Sequence, residues 1–113
     1  MSRFVPSRGD IVWLDFSPQA GREQAGRRPA LVLSTQAYNR RTGCCLACPV
    51  TSRIKGYAFE LRLPPGAAVD GVVLVDHVKN QDWQAHNAER AGTVPSDFID
   101  EVADLIDALM REA

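Results

Sequence analysis

The sequence predicts a mainly β domain of the α+β class, a small barrel or strongly curved antiparallel sheet with one helix at its C-terminal end. Three observations carry this reading. Short apolar runs are punctuated by glycine and proline, Tyr57–Leu63 alternates with a period of two, and helical spacing appears after Ser96.

Asp10–Phe16 is rich in β-branched and aromatic residues and follows Gly9, so it opens the sheet. Ser17–Arg27, with Pro18, Gly21 and Gly26, reads as a long loop. Arg28–Ser34 is the second strand and Thr35–Arg41 a short helical turn before Gly43. Cys44–Val50 is a third strand, in which Pro49 marks an edge or a strand end. In Tyr57–Leu63 the residues Tyr57, Phe59, Leu61 and Leu63 share one face and Glu60 and Arg62 the other, which gives this strand a wet side. Gly71–Val75 is a buried run that continues into Asp76–Lys79, and Ala88–Thr93 is the last strand. Phe98, Ile99, Val102, Leu105, Ile106 and Leu109 then fall on one helical face. Ser96 is the expected N-cap, and Asp97, Asp100 and Glu101 bring negative charge to the first turn. The acidic outer face of this helix reads as solvation rather than catalysis.

A chain of 113 residues is expected to be one domain, 1–113, burying roughly two thirds of its unfolded surface. Its 45% hydrophobic and 24% charged residues describe a soluble globular protein. No apolar run approaches the ~20 residues of a membrane span, and the N-terminus lacks the apolar stretch of a signal peptide. A cytoplasmic location with no membrane contact is expected. The net charge of −1 conceals an asymmetry: residues 1–62 carry +6 and residues 63–113 carry −7. The basic half suits an anionic partner.

Cys45 and Cys48 have the C-x₂-C spacing of a zinc site, but no second pair completes four ligands, so the cysteines read as small buried strand residues. The sequence holds no phosphate-binding G-x-x-x-x-G-K-[ST] loop, no H-E-x-x-H and no G-x-S-x-G. Nor does it cluster carboxylates at strand ends, as two-metal phosphoryl chemistry would need. No cofactor or metal is expected.

The polar candidates gather at Glu23–Arg28, Thr51–Lys55, Asp76–Lys79 and around His86. Glu23 and Arg28 are the most informative. A carboxylate can take a proton, while a guanidinium grips phosphate bidentately and stays charged at any working pH. A metal-free phosphodiesterase would want that pairing, although a surface ion pair would look the same in sequence. Thr51 and Ser52 offer hydroxyls at a strand end, where such groups often satisfy local backbone. Trp83 and Tyr57 could stack on bases or fill the core.

Taken in order, these pieces resemble the MazF/PemK toxins of bacterial toxin–antitoxin pairs, from Val5 to the final helix. The resemblance rests on Gly9-Asp10, Glu23-Gln24-Ala25-Gly26, Arg28-Pro29-Ala30 and Tyr38-Asn39. It continues through Pro49-Val50-Thr51-Ser52, Lys55-Gly56-Tyr57, Gly71-Val72-Val73 and Asp76-His77-Val78-Lys79. It implies an SH3-like barrel that acts as a homodimeric, metal-independent endoribonuclease on single-stranded RNA and is blocked by an antitoxin protein. The family's catalytic positions fall on Arg28 and Thr51, with Glu23 as a further acid, and its mobile loop falls on Ser17–Arg27. Chemistry agrees: Arg28 would hold the phosphate, Thr51 would donate a hydrogen bond to it, and Glu23 would serve as general base. Gln24, Arg27, Ser52, Arg53, Lys55, His77 and Lys79 are the expected RNA-binding residues. His77 stands where relatives carry glutamine, and is expected to read a base edge or pack; Arg27 stands where relatives carry histidine. Two rival readings use the same barrel without catalysis, one poisoning a protein target and the other simply binding RNA.

Overall fold

The computed structural model describes residues 4–16 and 26–111. Among these residues, seven strands and two helices follow in order: β1 (Asp10–Phe16), β2 (Gly26–Val32), α1 (Gln36–Thr42), β3 (Cys44–Thr51), β4 (Glu60–Arg62), β5 (Val72–Leu74), β6 (Lys79–Asp82), β7 (Glu89–Thr93) and α2 (Ser96–Met110). A 3-10 turn, Val75–His77, lies between β5 and β6. Neighbouring strands are antiparallel in the order β4-β5-β3-β2-β1-β7, with β6 also paired to β3.

The mainly β architecture with a C-terminal helix is as expected, but the sheet is not closed into a barrel: β4 and β7 end the path without pairing with each other. Strand alternation divides the interior in two. Ile11, Leu31, Cys48 and Val50 face one core, which Phe98, Ile99 and Val102 of α2 cover. Val12, Leu14, Ala30, Val32, Cys45 and Ala47 face the other, with Trp83. Cys45 and Cys48 thus lie in different cores, so their spacing cannot bring both sulfurs to one metal. Burial pushes both thiols up to about 12.

α1 has both of its ends satisfied. The Thr35 side chain accepts the Tyr38 N–H at 3.3 Å, and Gly43, at φ +74°, donates to the Asn39 carbonyl. Asn39 is fully buried and fully bonded: its amide donates to the carbonyls of Pro6 and Ser34, and its Oδ1 accepts from Ser34. Its carbonyl also accepts the Trp83 indole N–H at 3.0 Å, which settles Trp83 as core.

Several local expectations need correction. β3 is an interior strand, and Pro49 lies within it rather than at an edge or end. On one side of β3, β6 reaches Ala47 and β5 begins at Val50, so Pro49 sits in the gap where no ladder N–H is required. The expected strand Tyr57–Leu63 shrinks to Glu60–Arg62, because the Glu60 N–H closes a turn onto the Tyr57 carbonyl and leaves Tyr57 exposed. The expected run into Lys79 is broken by the 3-10 turn, after which β6 forms. Pro95, not Ser96, is the N-cap of α2; its carbonyl accepts from Phe98 and Ile99 with no side-chain cap. Leu109 is exposed, since the helix outruns the core it covers.

Candidate active site

The β2–β3 ladder supplies the site by ending early. Its register runs Val32↔Ala47, Leu31↔Cys48, Ala30↔Pro49 and stops. Pro29 comes next on β2, and it has no N–H with which to extend the ladder to Val50. Continued by two residues, the register would set Arg28 level with Thr51. The strands part there instead and leave a cleft of about 410 Å³, lined by Arg27, Arg28, Thr51, Ser52, Trp13 and Asp70 among others.

Thr51 also belongs to a second, smaller cleft of about 160 Å³, which it shares with Arg53, Lys55, Tyr57, Glu60, Leu74 and His77. The hydroxyl of Thr51 accepts the Arg53 N–H at 3.1 Å. That bond occupies a lone pair and leaves the O–H proton to donate elsewhere. The threonine is half-buried at the divide between the two clefts.

Gly71 fixes the height of Thr51. It has φ +131°, and a Cβ at this position would stand 2.2 Å from the Thr51 carbonyl oxygen. Only glycine lets β5 lie this close to the end of β3.

The structure brings most of the expected site residues together. Arg28, Thr51, Ser52 and Arg27 line the larger cleft, and Arg53, Lys55 and His77 join Thr51 around the smaller one. His77 sits on the 3-10 turn with Nε2 3.8 Å from Asp76 Oδ1, both side chains about half exposed. Lys79 is placed elsewhere, on β6 opposite Ala47, and lines neither cleft. Glu23 and Gln24, like most of the Ser17–Arg27 loop, lie outside the described residues. His86 packs beneath β1, its Nδ1 2.7 Å from the Asp15 carbonyl.

Arg27 has close partners. Its Nη1 lies 2.5 Å from Asp15 Oδ1, while Nη2 reaches the Asn87 carbonyl at 2.9 Å, Glu89 Oε1 at 3.2 Å and the Trp13 carbonyl at 3.3 Å. Asn87 donates to the other oxygen of Asp15 at 2.9 Å. Bonds from Asn87 and then Arg27 hold the Asp15 carboxyl below the usual carboxylate range.

Sequence reading missed Glu60 as a site residue. Its carboxylate accepts the backbone N–H of Lys55 and of Gly56, the latter at 2.8 Å, and so ties the basic loop to the wall of the smaller cleft. The available signal was its distance, four and five residues past those two donors. Asp70 was also missed and carried no local signal.

The family model for the PemK-like, MazF-like toxin of type II toxin–antitoxin systems matches residues 7–110. The chain belongs to this family. It is 46% identical over 110 residues to the endoribonuclease toxin MazF of Escherichia coli K12, covering 97% of this chain and 98% of that one. Against the endoribonuclease toxin ChpB of the same strain it is 42% identical over 100 residues, covering 83% and 84%. Among solved structures, the toxin fold superposes on a MazE–MazF crystal structure from Deinococcus radiodurans with a TM-score of 0.90 and 53% identity, over 96% and 97% of the two chains. The PemK/MazF fold therefore spans nearly the whole chain, with Arg28 and Thr51 at the mouth of one cleft.

Proposed function

We propose that this protein is an endoribonuclease toxin that cuts single-stranded messenger RNA within a short sequence, without a metal, and so arrests translation. The cleft between Arg28 and Thr51 carries the reading, in a family whose full-length relatives are named endoribonucleases. The ribose 2′-hydroxyl is the nucleophile: its oxygen bonds to phosphorus as the bond to the 5′-oxygen breaks. The products are a 2′,3′-cyclic phosphate and a 5′-hydroxyl end. The protein need only move two protons and steady the charge that builds on the phosphate.

Arg28 suits the second task, because its forked donors match two phosphate oxygens. Thr51 donates its free O–H proton to the same phosphate, its Oγ being held by the Arg53 N–H. Glu23 is the general base in this reading, since a guanidinium does not give up its proton near neutral pH. Gln24, Ser52, Arg53, Lys55 and Lys79 contact RNA, and His77 reads a base edge in the smaller cleft. Exposed Tyr57 in that cleft offers a face for stacking. The toxin works as a homodimer in the cytoplasm and is neutralised by a cognate antitoxin protein; no helix among the described residues is long and apolar enough to cross a membrane.

The test is incubation of a long single-stranded RNA with the purified protein in EDTA, followed by mapping of cut positions and end chemistry. Discrete cuts with cyclic-phosphate and 5′-hydroxyl ends, lost in Arg28→Ala, are expected. Intact RNA with a folded, antitoxin-free wild type would refute the nuclease and favour a binding module.

A further inference from the structure

We propose that Arg27 is a positioning residue, whose guanidinium locks the start of β2 to β1 and to the turn before β7 so that Arg28 leaves the sheet from a fixed base. The inference rests on the nuclease reading above and deepens it. In sequence alone, Arg27 is one more cation beside Arg28. In the fold it faces Asp15 across the β1–β2 ladder, and its fork bridges three chain segments at once. Nη1 takes the Asp15 carboxylate; Nη2 takes the Trp13 and Asn87 carbonyls and Glu89.

The other members of the cluster are themselves tied down. Asp15 receives Asn87 on its second oxygen, and its backbone N–H donates to the His86 carbonyl at 2.8 Å. His86 in turn contacts the Asp15 carbonyl through Nδ1. Asn87 holds φ +53°, a left-handed conformation that asparagine tolerates and that turns its carbonyl toward Arg27. A lysine could match the charge of Arg27 but not the planar fork that reaches two directions. Both arginines line the cleft, but Arg27 would have to leave Asp15 and its other partners to grip phosphate. The role of Arg27 in cleavage is therefore exerted through Arg28.

The test compares Arg27→Met, Arg27→Lys, Asp15→Asn and the Arg27→Met/Asp15→Asn double variant. Cleavage is followed in single turnover. Binding is followed over a salt series with an oligonucleotide spanning the mapped cut and carrying a 2′-deoxyribose there. The inference expects each single variant to lose tenfold or more in turnover with little change in the affinity for the uncleavable strand. The slope of log Kd against log salt should stay as in the wild type, and the double variant should fall no further than the worse single one. A phosphate-gripping Arg27 would instead flatten that slope by about 0.7 in Arg27→Met while Asp15→Asn kept full turnover, which would overturn the proposal. Full turnover in all the variants would overturn it too. Should Arg27→Met fail to fold, as judged by its thermal transition, Asp15→Asn and Arg27→Lys decide by the same criteria. A wild type that cuts no RNA overturns the nuclease reading and this inference with it, whereas a cutting wild type with fully active variants overturns the inference alone.

Discussion

Gly71→Ala should separate the placement of Thr51 from its chemistry. The added Cβ would meet the Thr51 carbonyl oxygen at 2.2 Å, its carbonyl carbon at 2.8 Å and Ser52 Cα at 3.2 Å. All three are backbone atoms, so no side-chain rotation relieves the contact. Carbon and oxygen settle no closer than about 3.3 Å, so β5 or the end of β3 must move by about 1 Å. An error of that size at a reacting centre costs about 10²-fold in rate. A φ of +131° forced on alanine adds about 1–3 kcal/mol of strain. For a domain of 113 residues that strain lowers Tm by roughly 5–15 °C. The assay is single-turnover cleavage at a temperature well below both transitions, with Tm from circular dichroism. Gly66→Ala is the control: it has φ +86° with nothing within 4 Å of where the methyl would stand, so it should lose stability but keep its cleavage rate. Wild-type turnover in Gly71→Ala, or an equal loss in Gly66→Ala, would refute the argument that Gly71 sets the height of Thr51.

Thr51→Val removes the hydroxyl while keeping the shape; turnover should drop by about 10²–10³-fold, while urea unfolding shifts by only about 1 kcal/mol from the lost Arg53 contact. Asp15 has its folded pKa depressed, so the stability it contributes is complete above the unfolded carboxylate range and is lost as pH falls through the folded value. Asp15→Asn should therefore lower the urea midpoint at pH 7, and the difference from wild type should shrink steadily as pH falls below the unfolded carboxylate range. Cys45 and Cys48, with thiols pushed up to about 12, should resist iodoacetamide at pH 8 until the protein is unfolded, while half-buried Cys44 reacts first, as read by mass spectrometry. Glu60→Ala frees the N–H groups of Lys55 and Gly56, and should raise KM more than it lowers kcat.

What was legible in the sequence followed local physics. The strand at Asp10–Phe16 is exact, and the α1 turn, the β7 strand and the C-terminal helix lie within one or two residues of expectation, because period and turn chemistry act over a few neighbours. Tyr57–Leu63 had a perfect alternation, yet only Glu60–Arg62 of it pairs as a strand. A carboxylate on its polar face bonds backward to the Lys55–Gly56 backbone, and alternation cannot reveal where a polar side chain finds its partner. Arg28 and Thr51 were legible as reactive types, but the work assigned to Arg27 was not. Its partners stand 12 to 62 positions away, at Asp15, Asn87 and Glu89.

Pro49 shows how one residue can be misread locally and still help to place the site. A proline in a strand argues for an edge, since it can donate nothing to a ladder. β3 answers that requirement by changing neighbours at the proline. On one side the pairing with β2 ends at Ala30↔Pro49; on the other β6 stops at Ala47 and β5 takes over at Val50. The strand therefore enters and leaves Pro49 with different companions, and the next two residues, Val50 and Thr51, are paired with β5 alone. Thr51 is consequently held from one side, by β5 and the close approach of Gly71, and open on the other, where the parted β2 presents Arg28. The opening between the strands lies where Pro29 has no N–H to offer β3, so a substitution of Pro29 that let β2 continue its ladder past Ala30↔Pro49 would narrow the cleft in which Arg28 and Thr51 meet.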